Sequence, residues 1–495
     1  MKKKPNIVII NPDQMRADTL AHLGNEASIT PNLDALAKEG VSFSNAFCQN
    51  PVCTPSRCSF MTGWYPHVRG HRSMEYMLHD DEPNLLRNLK NSGYHVWLNQ
   101  RNDLFPAQYP EKYAKYCDTY FRLPESPDSL PRDNWRGEKG ESNYYSFFRG
   151  KVPPHKNLDR IWTEGAVEFI QEYDEEKPFC IFLPLMLPHP VYKVSDPFYS
   201  NVNRDKIQKR ILPPDGFTGK PKIEKELNKL FNMDSWTEEQ YKELRAVYLG
   251  MCNEVDFFTG MVIDALKAKG IYDNTVIFVF SDHGDYTGDY GLVEKAQNCF
   301  EDCLTNVPFI VKLPKEMGRR KGISDELVEL IDFYATVEEI ADLETTHQHF
   351  GKSLVPYLQK NEEELRDAVF SEGGFRVGES YCSETGGPNG LTEENLYYPR
   401  LSLQLSNEFT YNGKAVMCRT KEYKYIKRLY EEDEFYDLRN DPEEVSNVIN
   451  DENYKDEILV LKERLLTHYL DTCDVVPLNK DKRMDSDFIE LLYKK

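Results

Sequence analysis

The sequence has no long apolar run: the longest, residues 179–187, is interrupted by Pro184 and falls well short of a membrane span. Behind Met1-Lys2-Lys3-Lys4, which has the charge of a signal peptide's leading region, only residues 7–10 are continuously apolar before Asn11, Pro12 and Asp13 intervene. Neither a targeting segment nor a membrane partner is expected. Basic residues are also scarce, with 61 Lys and Arg against 82 Asp and Glu. A formal charge of -21 argues against a nucleic acid or an anionic membrane as the main partner, since both need a broad basic face. A small anionic ligand in a local cationic pocket is still compatible. Disulfide or zinc-finger spacing is missing as well: the eleven cysteines are an odd number scattered from Cys48 to Cys473, and Cys299 with Cys303 has no companion pair. Reduced thiols and a cytoplasmic location are the expectation.

What is present fits a soluble globular chain of two or more domains: 495 residues, 40% hydrophobic and 29% charged. Short apolar runs alternate with helical patterns through the first two thirds, the signature of a mostly parallel sheet sandwiched by helices. Strands are read at 6–10, 94–98, 179–187, 275–280 and 309–312. Thr30-Pro31 opens a helix that Gly40 ends, 83–93 repeats the design, and a long helical region covers 237–269. We divide the chain into an α/β domain over 1–370 with a polar insertion at 105–155, a Gly- and Ser-rich linker over 371–399, and a C-terminal subdomain over 400–495. In the last, alternating residues near 416–419, 423–426 and 434–438 predict a small antiparallel sheet, and 455–471 a helix.

Ligands of open α/β sheets gather beyond the carboxyl ends of the strands. Three strand ends carry suggestive groups: Asp13 and Gln14 after the first, Asp282 and His283 after 275–280, and His189 after 179–187. Two carboxylates, an amide oxygen and an imidazole suit a hard or borderline divalent cation. Singly, each has a bland alternative as a helix cap or a turn residue. Cys53-Thr54-Pro55-Ser56-Arg57, with Thr62-Gly63 beyond it, is the most specific stretch. Thr54 could cap a helix whose first turn holds Pro55 and whose end is Gly63, which points N–H groups and Arg57 at an anion near Cys53.

The stretch resembles the sulfatase signature, in which the cysteine is converted to formylglycine. The resemblance to the formylglycine-dependent sulfatases of the alkaline-phosphatase superfamily covers most of the chain. Pro5 to Ile10 with Asp13-Gln14 is similar to the opening metal motif, Thr30-Pro31-Asn32-Leu33-Asp34 to the segment that follows, and Ser281-Asp282-His283-Gly284 with Lys295 to the second metal motif. Arg419 to Ile426 and Phe435-Tyr436-Asp437-Leu438 with Asn440-Asp441-Pro442 resemble the family's C-terminal subdomain.

The resemblance implies an enzyme that hydrolyses a sulfate monoester, a sulfuric ester hydrolase. Its metal would be Ca²⁺, with Mg²⁺ or Mn²⁺ as alternatives, held by Asp13, Gln14, Asp282, His283 and the modified Cys53. A hydrated aldehyde at position 53 would attack sulfur, Asp282 would accept a proton, Arg57 would hold the nucleophile, Lys295 would bind sulfate oxygens, and His189 would protonate the departing alcohol. Maturation implies a formylglycine-generating enzyme as partner. One stretch departs from the pattern: where sulfatases carry Gly-Lys-Trp-His, this chain has Gln100-Arg101-Asn102-Asp103. Arg101 can serve as a sulfate-binding cation, whereas Asp103 replaces a histidine and is expected either to accept a proton in its place or to face a hydroxyl or amine of the substrate. His67 and His71 are candidate substitutes. A sulfated sugar is the first choice of substrate. A phosphonate or phosphate monoester hydrolase, or a choline sulfatase-like enzyme, would share the signature, and a non-catalytic binding protein would predict that Cys53 stays a thiol.

Overall fold

A computed structural model describes residues 4–106, 110–123, 147–154, 157–361, 363–379, 403, 409–479 and 492–493. Most of the 105–155 insertion and of the 371–399 linker lies outside these residues.

Strands β1 (Asn6–Asp13), β2 (Val41–Phe47), β3 (His95–Leu98), β4 (Thr119–Tyr120), β5 (Phe148–Lys151), β6 (Phe179–Pro188), β7 (Tyr192–Val194), β8 (Thr275–Phe280), β9 (Phe309–Lys312) and β10 (Gly322–Glu329) belong to the larger unit. Eight of them form one sheet in the order β10-β2-β9-β8-β1-β6-β3-β4, and β5 pairs with β7 apart from it. Within the large sheet only β9 runs antiparallel, to both β2 and β8, so the sheet is mostly parallel as expected. β1 is central, and its alternation sends Ile7 and Ile9 into one core and Val8 and Ile10 into the other. Helices Cys53–Thr62, Leu85–Asn91 and Ile331–Ala341 cover the first face; Pro31–Glu39, Leu158–Glu172 and Glu238–Ala268 cover the second.

Local chemistry explains several boundaries. Thr237 and Gln240 form a reciprocal capping box that starts the long Glu238–Ala268 helix. Gly284 must be glycine, because a Cβ there would lie 2.0 Å from the carbonyl oxygen of Cys303. That close approach lets the turn after Asp282-His283 fold back under the sheet, with Gly284 N donating to Leu304 O at 2.7 Å. The signature helix differs from the sequence reading in its start. It begins at Cys53 itself, with Val52 as its N-cap and no side-chain cap, so Thr54 lies inside the first turn. The Thr54 N–H donates to Met74 Sδ at 3.5 Å instead of to a capping side chain.

Strands β11 (Val369–Gly373), β12 (Ala415–Arg419), β13 (Tyr423–Arg428) and β14 (Glu434–Asp437) form the second, antiparallel sheet in sequence order. Ser371 to Gly373, read from sequence as the start of the linker, are part of strand β11 and pair with Met417 to Ala415. One face of this sheet packs Met417, Ile426 and Tyr436 against Phe47, Phe300 and Leu327 of the main unit. The other takes Ile458, Leu461 and Leu465 of the Lys455–Thr472 helix.

Phe278, fully buried on β8, meets Phe333 edge to face with centroids 5.0 Å apart. Its replacement by alanine is expected to cost about 3–5 kcal/mol of stability, read as a lower urea midpoint at unchanged slope.

Candidate active site

The ends of β1 and β8 are stitched together before any catalytic chemistry is considered. Asn11 Nδ2 donates to Phe280 O at 2.7 Å, Met15 N donates to Ser281 Oγ at 2.7 Å, and Ser281 Oγ donates to Pro12 O at 3.0 Å. This places Asp13 and Asp282 side by side, both wholly buried. Arg57, on the first turn of the Cys53–Thr62 helix and equally buried, lies between them: Nε donates to Asp282 Oδ2 at 2.9 Å and Nη2 to Asp13 Oδ2 at 3.1 Å. A second guanidinium, Arg101, pairs with Asp13 and lies 3.2 Å from Asp103.

Cys53 completes the group. Its Sγ is 3.2 Å from His283 Nε2 and 3.5 Å from Asp13 Oδ1. One donor atom each from Asp13, Cys53, Asp282 and His283 lies within 4.8 Å of the others. His283 Nδ1 donates to Gly284 O at 2.9 Å, which leaves the Nε2 lone pair turned toward the two carboxylates. Burial together with the charge of Lys295 lowers the His283 pKa despite Asp282, so the ring is a neutral donor. Burial alone would raise the Asp13 carboxyl, yet the Arg101 and Arg57 guanidiniums hold it well below its ordinary value. The Cys53 thiol is pushed well above its ordinary range by burial and by Asp13, so as a plain cysteine it is protonated and a poor nucleophile. Two buried carboxylates, a neutral imidazole and position 53 form a donor set that suits a divalent cation.

The remaining predicted residues divide. Gln14, in the left-handed region at φ 68°, donates from Nε2 to Asp285 and accepts the Lys295 ammonium at Oε1. His189 directly follows β6, whose end pairs with the end of β1 at Asp13; burial and the charge of Lys295 push its pKa down to about 4. Its Nδ1 donates to Pro190 O at 2.5 Å, leaving Nε2 as the atom that can carry a transferable proton. Asp103, about a quarter exposed, sits 3.8 Å from Arg57 Nε on a loop braced by Asn102 Oδ1. His67 and His71 are not brought into this group. His67 Nδ1 is 2.7 Å from Glu372 and its Nε2 is 3.0 Å from Thr472, while His71 bridges Tyr76 O and Glu82. Their ring nitrogens are already committed to holding the fold.

A family model described as Sulfatase matches residues 5–343. The chain belongs to the sulfatase family. This sulfatase is 26% identical over 496 residues to an arylsulfatase of Clostridium perfringens, with 94% of each chain covered. It is 22% identical over 542 residues to an N-acetylglucosamine-6-O-sulfatase of Bacteroides thetaiotaomicron, covering 95% of this chain and 87% of the relative. The phosphonate monoester hydrolase of Agrobacterium radiobacter shares its fold at a TM-score of 0.74 and 22% identity, over 95% of this chain and 96% of the other.

Sequence reasoning missed Asp285 and Asp159. Asp285 accepts from Gln14, Tyr192 and Thr287, and burial raises its pKa to about 6. Both are buried acids: Asp285 lies just past the Asp282-His283 turn and Asp159 in the first turn of a helix. A second gathering, Glu224, Cys299 and Glu301, is neutralised from within: Lys220 lies 2.9 Å from Glu301, and burial with the Glu301 charge keeps the Glu224 carboxyl protonated.

The placement of His67 gives a prediction. Burial would raise Glu372, but the His67 contacts depress its pKa from 4.5 to about 2. A depressed carboxyl stabilises the fold above its unfolded pKa and loses that contribution as pH falls through the folded value. His67→Ala should therefore lose about 1–3 kcal/mol at neutral pH in denaturant unfolding, a deficit that shrinks below about pH 4.5.

Proposed function

We propose that this sulfatase hydrolyses the sulfate monoester of a sugar, using formylglycine derived from Cys53 and a divalent cation, with Ca²⁺ the first choice and Mg²⁺ or Mn²⁺ the alternatives. The observation that carries the reading is the convergence of Cys53 with Asp13, Asp282 and His283 around buried Arg57. The sulfated sugar rests on the printed activity of the Bacteroides relative.

Asp13, Asp282 and His283, with position 53, would hold the cation, which when bound supplies Lewis-acid stabilisation of charge on the ester oxygens. Gln14 is a weaker candidate ligand, because its amide oxygen already accepts from Lys295. Formylglycine would supply a hydrated aldehyde, one hydroxyl to attack sulfur and a second to expel sulfate. The chain's other residues then have separable tasks. Arg57 Nη1 and Arg101 Nε are buried N–H groups with no protein partner among the described residues, which suits them to anionic oxygens. Lys295, oriented through Gln14 by Asp285, would receive a sulfate oxygen. Asp282 would accept a proton from the attacking hydroxyl. His189 Nε2 would give a proton to the departing alcohol oxygen; the negative charge of a bound ester would favour the protonated ring against the burial and the Lys295 charge that keep it neutral. Asp103, a carboxylate beside these cations, would take a hydroxyl or amine of the substrate rather than its sulfate.

Maturation would require a formylglycine-generating enzyme. No helix among the described residues is long and apolar enough to cross a membrane.

Mass spectrometry of the peptide spanning Cys53, from protein co-expressed with such an enzyme, should give the mass of the aldehyde, and Cys53→Ala should lose activity by about 10³-fold or more. An unmodified cysteine in fully active enzyme would sink the reading. Aryl sulfate and aryl phosphonate compared side by side decide the ester, and a preference for phosphonate would select the hydrolase whose fold this chain shares. Calcium titration should yield one site, which His283→Ala weakens by about tenfold or more and His67→Ala leaves unchanged.

A further inference from the structure

The segment that carries His189 is anchored by a residue that no motif marks. Asn157 caps the Leu158–Glu172 helix, its side-chain oxygen accepting from Arg160 N at 2.9 Å. Asp159 follows in the first turn and is 1% exposed. Both of its carboxylate oxygens are spent on the end of β6: Oδ1 accepts from Met186 N at 2.8 Å and Oδ2 from Leu187 N at 2.7 Å.

The need for such a clamp comes from the sheet. Pairing of β6 with β1 shifts register between Asn11 and Asp13, opposite Pro184 and Pro188, so the regular ladder is interrupted over Leu185, Met186 and Leu187. A buried carboxylate replaces the missing acceptors. Two charge-assisted bonds to consecutive N–H groups fix that peptide segment in both position and orientation. His189 depends on the same segment, because its own N–H closes a turn onto Met186 O at 2.9 Å. A carboxylate kept in so dry a place is costly, and burial pushes the Asp159 pKa up to about 6 even with both bonds made.

We propose that Asp159 is a positioning residue for leaving-group protonation: by clamping Met186 and Leu187 it sets the place from which His189 Nε2 meets the departing oxygen. The inference rests on the reading of His189 as the general acid. It predicts an effect confined to substrates whose leaving group needs a proton.

Asp159→Asn keeps the shape and one acceptor but turns an amide donor toward the other N–H. On an alkyl or sugar sulfate, the matured variant should lose about 10–100-fold in kcat with little change in KM. On 4-nitrophenyl sulfate, whose leaving group departs without a proton, the loss should stay within about threefold. His189→Ala should show the same selectivity, more strongly. In the His189→Ala background, Asp159→Asn should add nothing on the alkyl sulfate, since the clamp would act only through the missing ring. Equal losses on both substrates, additive losses in the double variant, or no loss at all would each overturn the proposal. If Asp159→Ala does not fold, the isosteric Asn variant carries the test alone. Should His189→Ala itself prove indifferent to the leaving group, the acid assignment fails and the inference with it. That failure is read from His189→Ala alone, apart from any result at Asp159.

Discussion

Everything at this site depends on holding two fully buried carboxylates, Asp13 and Asp282, next to each other. Two like charges side by side repel, and burial adds a desolvation cost. Arg57 resolves the conflict by bonding both, and Arg101 adds a second cation on Asp13. The balance is delicate because the guanidinium is itself fully buried. Removing Arg57 would take the guanidinium from Asp282 and leave Asp13 with Arg101 alone, whereas a divalent cation brought into the same space joins an environment already built for positive charge.

The sheet supplies the precision that such a cluster needs. β1 and β8 are adjacent and parallel, so their carboxyl ends emerge side by side, and Asn11 and Ser281 tie those ends together. The signature helix brings Cys53 and Arg57 from the neighbouring face, and β6 delivers His189 from β1's other side. Rigid strands end in short, irregular segments that carry the chemistry. Gln14 in the left-handed region, Gly284 against a carbonyl and the register shift opposite Asp13 are all found at that boundary.

Much of the architecture was legible because its strands are buried on both faces and so read as continuous apolar runs. β8 and β9 match the sequence boundaries, and the long Glu238–Ala268 helix falls within one residue of the 237–269 reading at each end. β2 and β10 were not read as strands. β2 mixes Ser and Asn with its apolar residues, and β10 is the edge strand, whose Ser-Asp-Glu content resembles a solvated helix. β11 escaped because residues near 371 look like linker by composition, and only pairing with β12 makes them a strand.

The sequence by itself determined the candidate groups: Cys53 and Arg57 one helical turn apart, and acids and imidazoles at strand ends, because those depend on short-range spacing and on where apolar runs stop. Tertiary structure decided which histidines gather with Cys53 and the two carboxylates. His67, His71, His189 and His283 look alike as letters, but the first two spend both ring nitrogens on the fold, and only His283 turns a lone pair to the carboxylates. It also revealed Asp285 and Asp159, whose tasks exist only because distant segments meet. A buried carboxylate's role is set by the N–H and O–H groups that surround it, and those come from residues far away along the chain.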